Sequence, residues 1–144
     1  MATTKTYGSL ITKAFNKEVD FDTDTIKVAL VSSSYTPNQD THDYWDDVSS
    51  NEVSGTGYTA GGATLASKTV TYDSATNVTK FDAADVSWTS STITARYAVV
   101  YLDTGTASTS PLIAYVDFGS DQSSSSGTFQ IVWDSAGIFT TTAD

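Results

Sequence analysis

The stretch TARYAVVYLD, residues 94–103, decides the fold. Ala98, Val100 and Leu102 alternate with Tyr97, Val99 and Tyr101, and both sets are apolar. Side chains of a strand point alternately to the two sides of its sheet, so a segment apolar on both sides belongs to a strand covered on both faces. Valine and tyrosine also fit a pleated surface better than a helix. Arg96, the chain's one arginine, interrupts this apolar run. A guanidinium there needs an acid: Asp85, Asp103 or Asp117 within the fold, or an acid or carbonyl across a subunit boundary. Its loss is expected to abolish folding or assembly.

Short strands read outward from this centre in both directions. DVSWTS (85–90) sets Val86 and Trp88 on one side, and KTVTYD (68–73) does the same with Val70 and Tyr72. NVTKFDA (77–83), PLIAYVDFG (111–119) and GTFQIVWD (127–134) continue the series, the last with Phe129, Ile131 and Trp133 alternating inward. DSATN, DTGTAS and GSDQSSSSG read as the turns between them. IKVALVSS (26–33) is a further strand. The expected fold is all-β and mainly antiparallel, a β-sandwich or jelly-roll-like barrel formed by one domain spanning residues 1–144. Of the 144 residues, 45 are serine or threonine, which disfavours long helices.

One helix is expected, over about residues 5–17. Tyr7, Leu10, Ile11, Ala14 and Phe15 make a single apolar stripe for docking on the sheet, with Thr4 or Thr6 as N-cap. Residues 35–62, YTPNQDTHDYWDDVSSNEVSGTGYTAGG, have no sustained period and far exceed an ordinary connection of about 4–6 residues. Tyr35, Tyr44, Trp45 and Tyr58 argue against disorder in this long loop. They are its candidate partner-binding anchors, or else a cap on the domain's own core.

Charge and composition narrow the chemistry. Seven basic against 17 acidic side chains give a net charge of −10, which repels nucleic acid. The chain has no cysteine, so thiol catalysis and disulfide bracing are excluded. No apolar run approaches the roughly 18 residues of a membrane span, and no leader is legible; a soluble protein made in the cytosol is expected.

Four of the nine glycines fall in EVSGTGYTAGG, residues 52–62. A phosphate loop needs Gly-Lys-Ser/Thr and a dinucleotide loop needs a following helix; GGATLAS supplies neither. The glycines suit close backbone approach instead. Asp20, Asp22 and Asp24 open like a calcium loop, but Val31 stands where the closing glutamate belongs. They read as a solvated turn, with a weak calcium site drawing also on Asp46, Asp47 or Glu52 as the alternative. His42, the sole histidine, sits among acids with no nucleophile or metal partner in view and reads as a surface residue. No catalytic residue, metal site or cofactor is expected.

Five longer segments carry a resemblance. They are AFNKEVDFDTDTIKVALVSSSYTPNQDTHDYWDDV (14–48), NEVSGTGYTAGGATLASKTVTYD (51–73), DAADVSWTSSTITARYAVVYLDTG (82–105), LIAYVDFG (112–119) and GTFQIVWDSAGIF (127–139). Together they resemble a family of small proteins encoded among the virion structural genes of tailed bacteriophages. The resemblance implies a non-enzymatic head decoration, or cement, protein on the capsid exterior. It further implies binding to the major capsid protein as a homo-oligomer, trimer or dimer, after synthesis in the bacterial cytoplasm. A tail, neck or fibre-associated protein is the neighbouring alternative. A carbohydrate-binding module stacking sugars on Trp45 and Tyr58 is the more distant one.

Overall fold

The computed structural model describes residues 2–144, and it is all-β, with two antiparallel sheets and one short helix. In chain order the elements are β1 (Thr3–Thr6), α1 (Leu10–Phe15), β2 (Ile26–Val31), β3 (Ala63–Thr64), β4 (Thr69–Asp73), β5 (Val78–Asp82), β6 (Val86–Leu102), β7 (Leu112–Ile131) and β8 (Phe139–Thr142). Single 3-10 turns occupy Trp45–Asp47, Ser49–Asn51 and Ala107–Thr109. The larger sheet runs β1-β7-β6-β2-β3 and the smaller β4-β5-β8.

The central stretch behaves as its pattern requires. Ala98, Val100 and Leu102 of β6 enter a core shared with the smaller sheet, alongside Phe21, Val28, Leu30, Ile113, Phe129, Ile138 and Phe139. On the opposite face Val99 and Tyr101 join Tyr7, Ala29, Val31, Tyr35, Trp45, Val48 and Leu112 in a second core. Thus the larger sheet is covered by strands on one side and by the long loop on the other. Trp88 with Val86, and Phe129 with Ile131, point inward as expected.

Two expectations need correction. The helix does not span residues 5–17. Thr3–Thr6 is instead an edge strand, paired from Thr3 with Asp117 to Thr6 with Ala114, because β-branched threonines favour extended backbone where a sheet edge is within reach. The helical remnant has Ser9 at its N-cap rather than Thr4 or Thr6, and the Ser9 side chain makes no cap bond. Of the proposed stripe, Tyr7 and Leu10 are buried, whereas Ala14 is exposed and Ile11 and Phe15 are 50% and 85% exposed.

GSDQSSSSG is not a turn, because β7 runs through it as strand, with irregularities in its pairing to β6. Its serines face the equally hydroxyl-rich start of β6, Ile93 pairing with Ser124 and Thr94 with Ser123. Thr94 Oγ1 lies 2.8 Å from Ser123 Oγ, and buried Ser91 Oγ lies 2.7 Å from Ser124 Oγ. Cross-strand hydroxyl pairs take the place that apolar pairs hold elsewhere in the sheet. Val70 and Tyr72 share a face of β4, as the alternation of KTVTYD requires, and both are exposed.

Candidate interaction surface

Residues 35–62 are ordered by their own side chains. After β2 the segment turns back along the outer face of the larger sheet, where Trp45 stacks on Tyr101 with ring centroids 4.3 Å apart and planes 6° from parallel. The Trp45 N–H donates to the Ser110 carbonyl at 2.8 Å, and the Leu112 N–H donates to the Asp43 carbonyl at 3.0 Å, stitching the segment to the start of β7. Next it passes β2, with Ser32 N–H donating to Asn51 C=O and Val53 N–H to Leu30 C=O, and so closes a sheet edge that would otherwise stand open. It then meets β6 through a bridge between Thr56 and Thr92.

The glycines have a steric explanation here. A Cβ on Gly55 would collide with the Thr92 carbonyl oxygen, and one on Gly62 with the Val28 carbonyl; Gly62 also holds φ at +78°. The close approach expected of this stretch is made to the protein's own strands.

Each aromatic of the segment has an internal partner. Tyr35 is buried, and its hydroxyl donates to His42 Nδ1 at 2.9 Å, since the Asn38 N–H also points at that nitrogen. The Tyr7 hydroxyl, 2.9 Å away, donates to Tyr35. Burial pushes Tyr35 up to about 12 and Tyr7 higher still. Tyr58, half-buried, accepts from Leu30 N–H at 3.0 Å and donates to Glu52 Oε1 at 2.6 Å; burial first, and then that carboxylate, raises its pKa. Tyr44 ties the segment to α1. Lys13 Nζ stands 3.3 Å from its ring centroid and 3.3 Å from Asp43 Oδ2, while the Tyr44 hydroxyl donates to Glu18 Oε2. Tyr35 and Trp45 therefore spend their apolar surface on the domain's own core. A sugar-stacking role would require Trp45 to leave its stack on Tyr101.

Arg96 meets Asp117, one of the three acids considered, with Nε 2.8 Å from Oδ1 and Nη2 3.4 Å from Oδ2. The two side chains are 29% and 31% exposed, so the pair lies at the surface of the β6–β7 pair rather than deep in the core. A pair this exposed is screened by solvent and contributes little by itself. The Arg96 hydrogen bond, supported by the Gly119 N–H, holds the Asp117 carboxyl below the usual range.

The other candidates are used locally. Asp20 Oδ1 accepts from Asp22 and Thr23 N–H at 3.1 and 3.2 Å, and Asp24 Oδ2 accepts from Asp20 N–H at 2.8 Å, which closes a turn. Glu52 is committed to Tyr58 and to the Gly61 N–H, and Asp47 to the N–H groups of Asp43 and Tyr44. Among the described residues no group of three or more His, Asp or Glu converges as a metal would need, and no helix is long and apolar enough to cross a membrane.

The sequence gives no sign of a groove of about 670 Å3 beside β1, lined by Ala2, Thr4, Phe118, Phe129 and Trp133 among others. It exists because β7 continues past the end of β1, a consequence of the serine run being strand. The chain matches no family model, no curated protein and no solved structure.

Proposed function

We propose that this protein is a decoration protein of a tailed-bacteriophage head, binding the major capsid protein on the outer surface of the shell and stabilising it without catalysis. The resemblance set out above brings the reading in. The observation that supports it best is the state of residues 35–62, whose aromatics and glycines lock a long irregular segment onto the larger sheet. A body held this rigidly loses little conformational entropy when it docks, which suits repeated weak contacts on a lattice. The polar outer surface of that segment and the exposed side of α1, with Ile11 and Phe15, are the proposed shell contacts. A net charge of −10 suits the outside of a particle whose inside holds DNA. In this reading the protein acts as a dimer or trimer.

Heating particles that lack the protein tests the proposal. They are expected to lose DNA at a lower temperature than complete particles and to recover when purified protein is added back. Equal survival overturns the cement role, and add-back binding to tails rather than heads moves the protein to the tail.

A further inference from the structure

We propose that two copies of this chain pair through β4, edge to edge and antiparallel, about a two-fold axis at Thr71. β4 is the terminal strand of the smaller sheet, and all five of its residues are exposed. Such an edge offers a row of unpaired backbone N–H and C=O groups to any extended segment that fits. Three of the usual protections are missing: Thr69–Asp73 contains no proline and no lysine, and its pairing with β5 is unbroken by a bulge. Val70 and Tyr72, 43% and 57% exposed, are two of the five large apolar side chains exposed among the described residues.

The sequence of β4 is its own complement. Centring the register on Thr71 sets Val70 opposite Tyr72 of the second copy and Tyr72 opposite its Val70. The contact thus contains two aromatic–β-branched cross-strand pairs on one face. On the other face Thr71 meets Thr71, and each Thr69 hydroxyl meets an Asp73 carboxylate. No like charges are directly opposed. The wider hairpin is also neutral: residues 68–82 carry Lys68 and Lys80 against Asp73 and Asp82, in a chain whose net charge is −10. Two strongly acidic bodies can approach here without repulsion between the surfaces that touch. Pairing would join the two small sheets into one of six strands, β8-β5-β4-β4-β5-β8. A contact of one short strand falls below the roughly 1,200 Å2 of standard interfaces, so the dimer dissociates on dilution.

The inference rests on the oligomer in the reading above and not on the shell. The experiment therefore uses isolated full-length protein, and its failure leaves the particle-heating result untouched. Sedimentation of the wild-type protein is expected to show a monomer–dimer equilibrium shifting with concentration up to about 1 mM. Thr71→Lys, which opposes two ammonium groups at the axis, is expected to sediment as monomer with unchanged melting, since Thr71 is exposed and β4 pairs with β5 alone. In this cysteine-free chain Thr71→Cys supplies a single thiol. Directly opposed residues of an antiparallel pair have Cα atoms about 4.5–5.5 Å apart, within disulfide reach. Mild oxidation should therefore link Thr71→Cys into a covalent dimer and leave Thr76→Cys, at the hairpin tip, largely unlinked. A monomeric wild type at the highest concentration, an oligomer unaffected by Thr71→Lys, or equal cross-linking at both positions overturns the proposal.

Discussion

Trp45 shows most clearly what single side chains do in this molecule. Its stack on Tyr101 joins the long loop to the central strand, so Trp45→Ala is expected to cost about 3–5 kcal/mol, the usual range for a buried aromatic. Chemical denaturation checks this, and a loss below about 1 kcal/mol would mean that the loop is held by other contacts. Gly62→Ala should destabilise by more than about 1 kcal/mol, since the added methyl meets the Val28 carbonyl at a positive φ. Gly105→Ala probes φ without that collision, because nothing lies within 4 Å of a Cβ there, and it is expected to cost less. Protonation has two limbs. Lys27, 2.7 Å away, and the Gly105 N–H hold Asp103 low, and Arg96 does the same for Asp117. Their folded pKa values lie below the unfolded ones, so the stability they confer is present above about pH 4 and lost as pH falls further. Tyr7, Tyr35, Tyr58 and Tyr101 are raised by burial, so their contribution is complete below about pH 10 and lost as pH rises through their folded values. Melting temperature against pH should show a plateau bounded by these limbs, with Asp103→Asn shortening the acid one.

Elements were legible in proportion to how much of their pattern was local. The two apolar faces of residues 97–102 pointed to a doubly covered strand because burial on each side needs only side-chain alternation. By contrast, the serine run of β7 carries turn composition and becomes strand only because β6 presents hydroxyls opposite it, a pairing about 30 residues away in sequence. The first residues misled for a similar reason. A helical stripe was present, but threonines beside the open edge of β7 found a strand partner first. Aromatics in residues 35–62 were recognisable as anchors; what they anchor to was not, since own-core and partner burial draw on the same apolar surface. Hydrogen exchange tests this hierarchy. Amides of β2 and of residues 97–102 should exchange slowest, and those of α1, which buries only Leu10 and Lys13, among the fastest. Equal protection in both would contradict the packing described here.

At the scale of the whole molecule, two sheets and a fastened loop make an acidic all-β body in which Glu52, Tyr58, Tyr35 and His42 are engaged by internal hydrogen bonds. The most direct measurement is cryo-electron microscopy of the virion. Density for this all-β domain is expected on the exterior of the head, repeated over the shell lattice and resting on the major capsid protein. Finding the domain only in the tail, or absent from the particle altogether, would contradict the assignment.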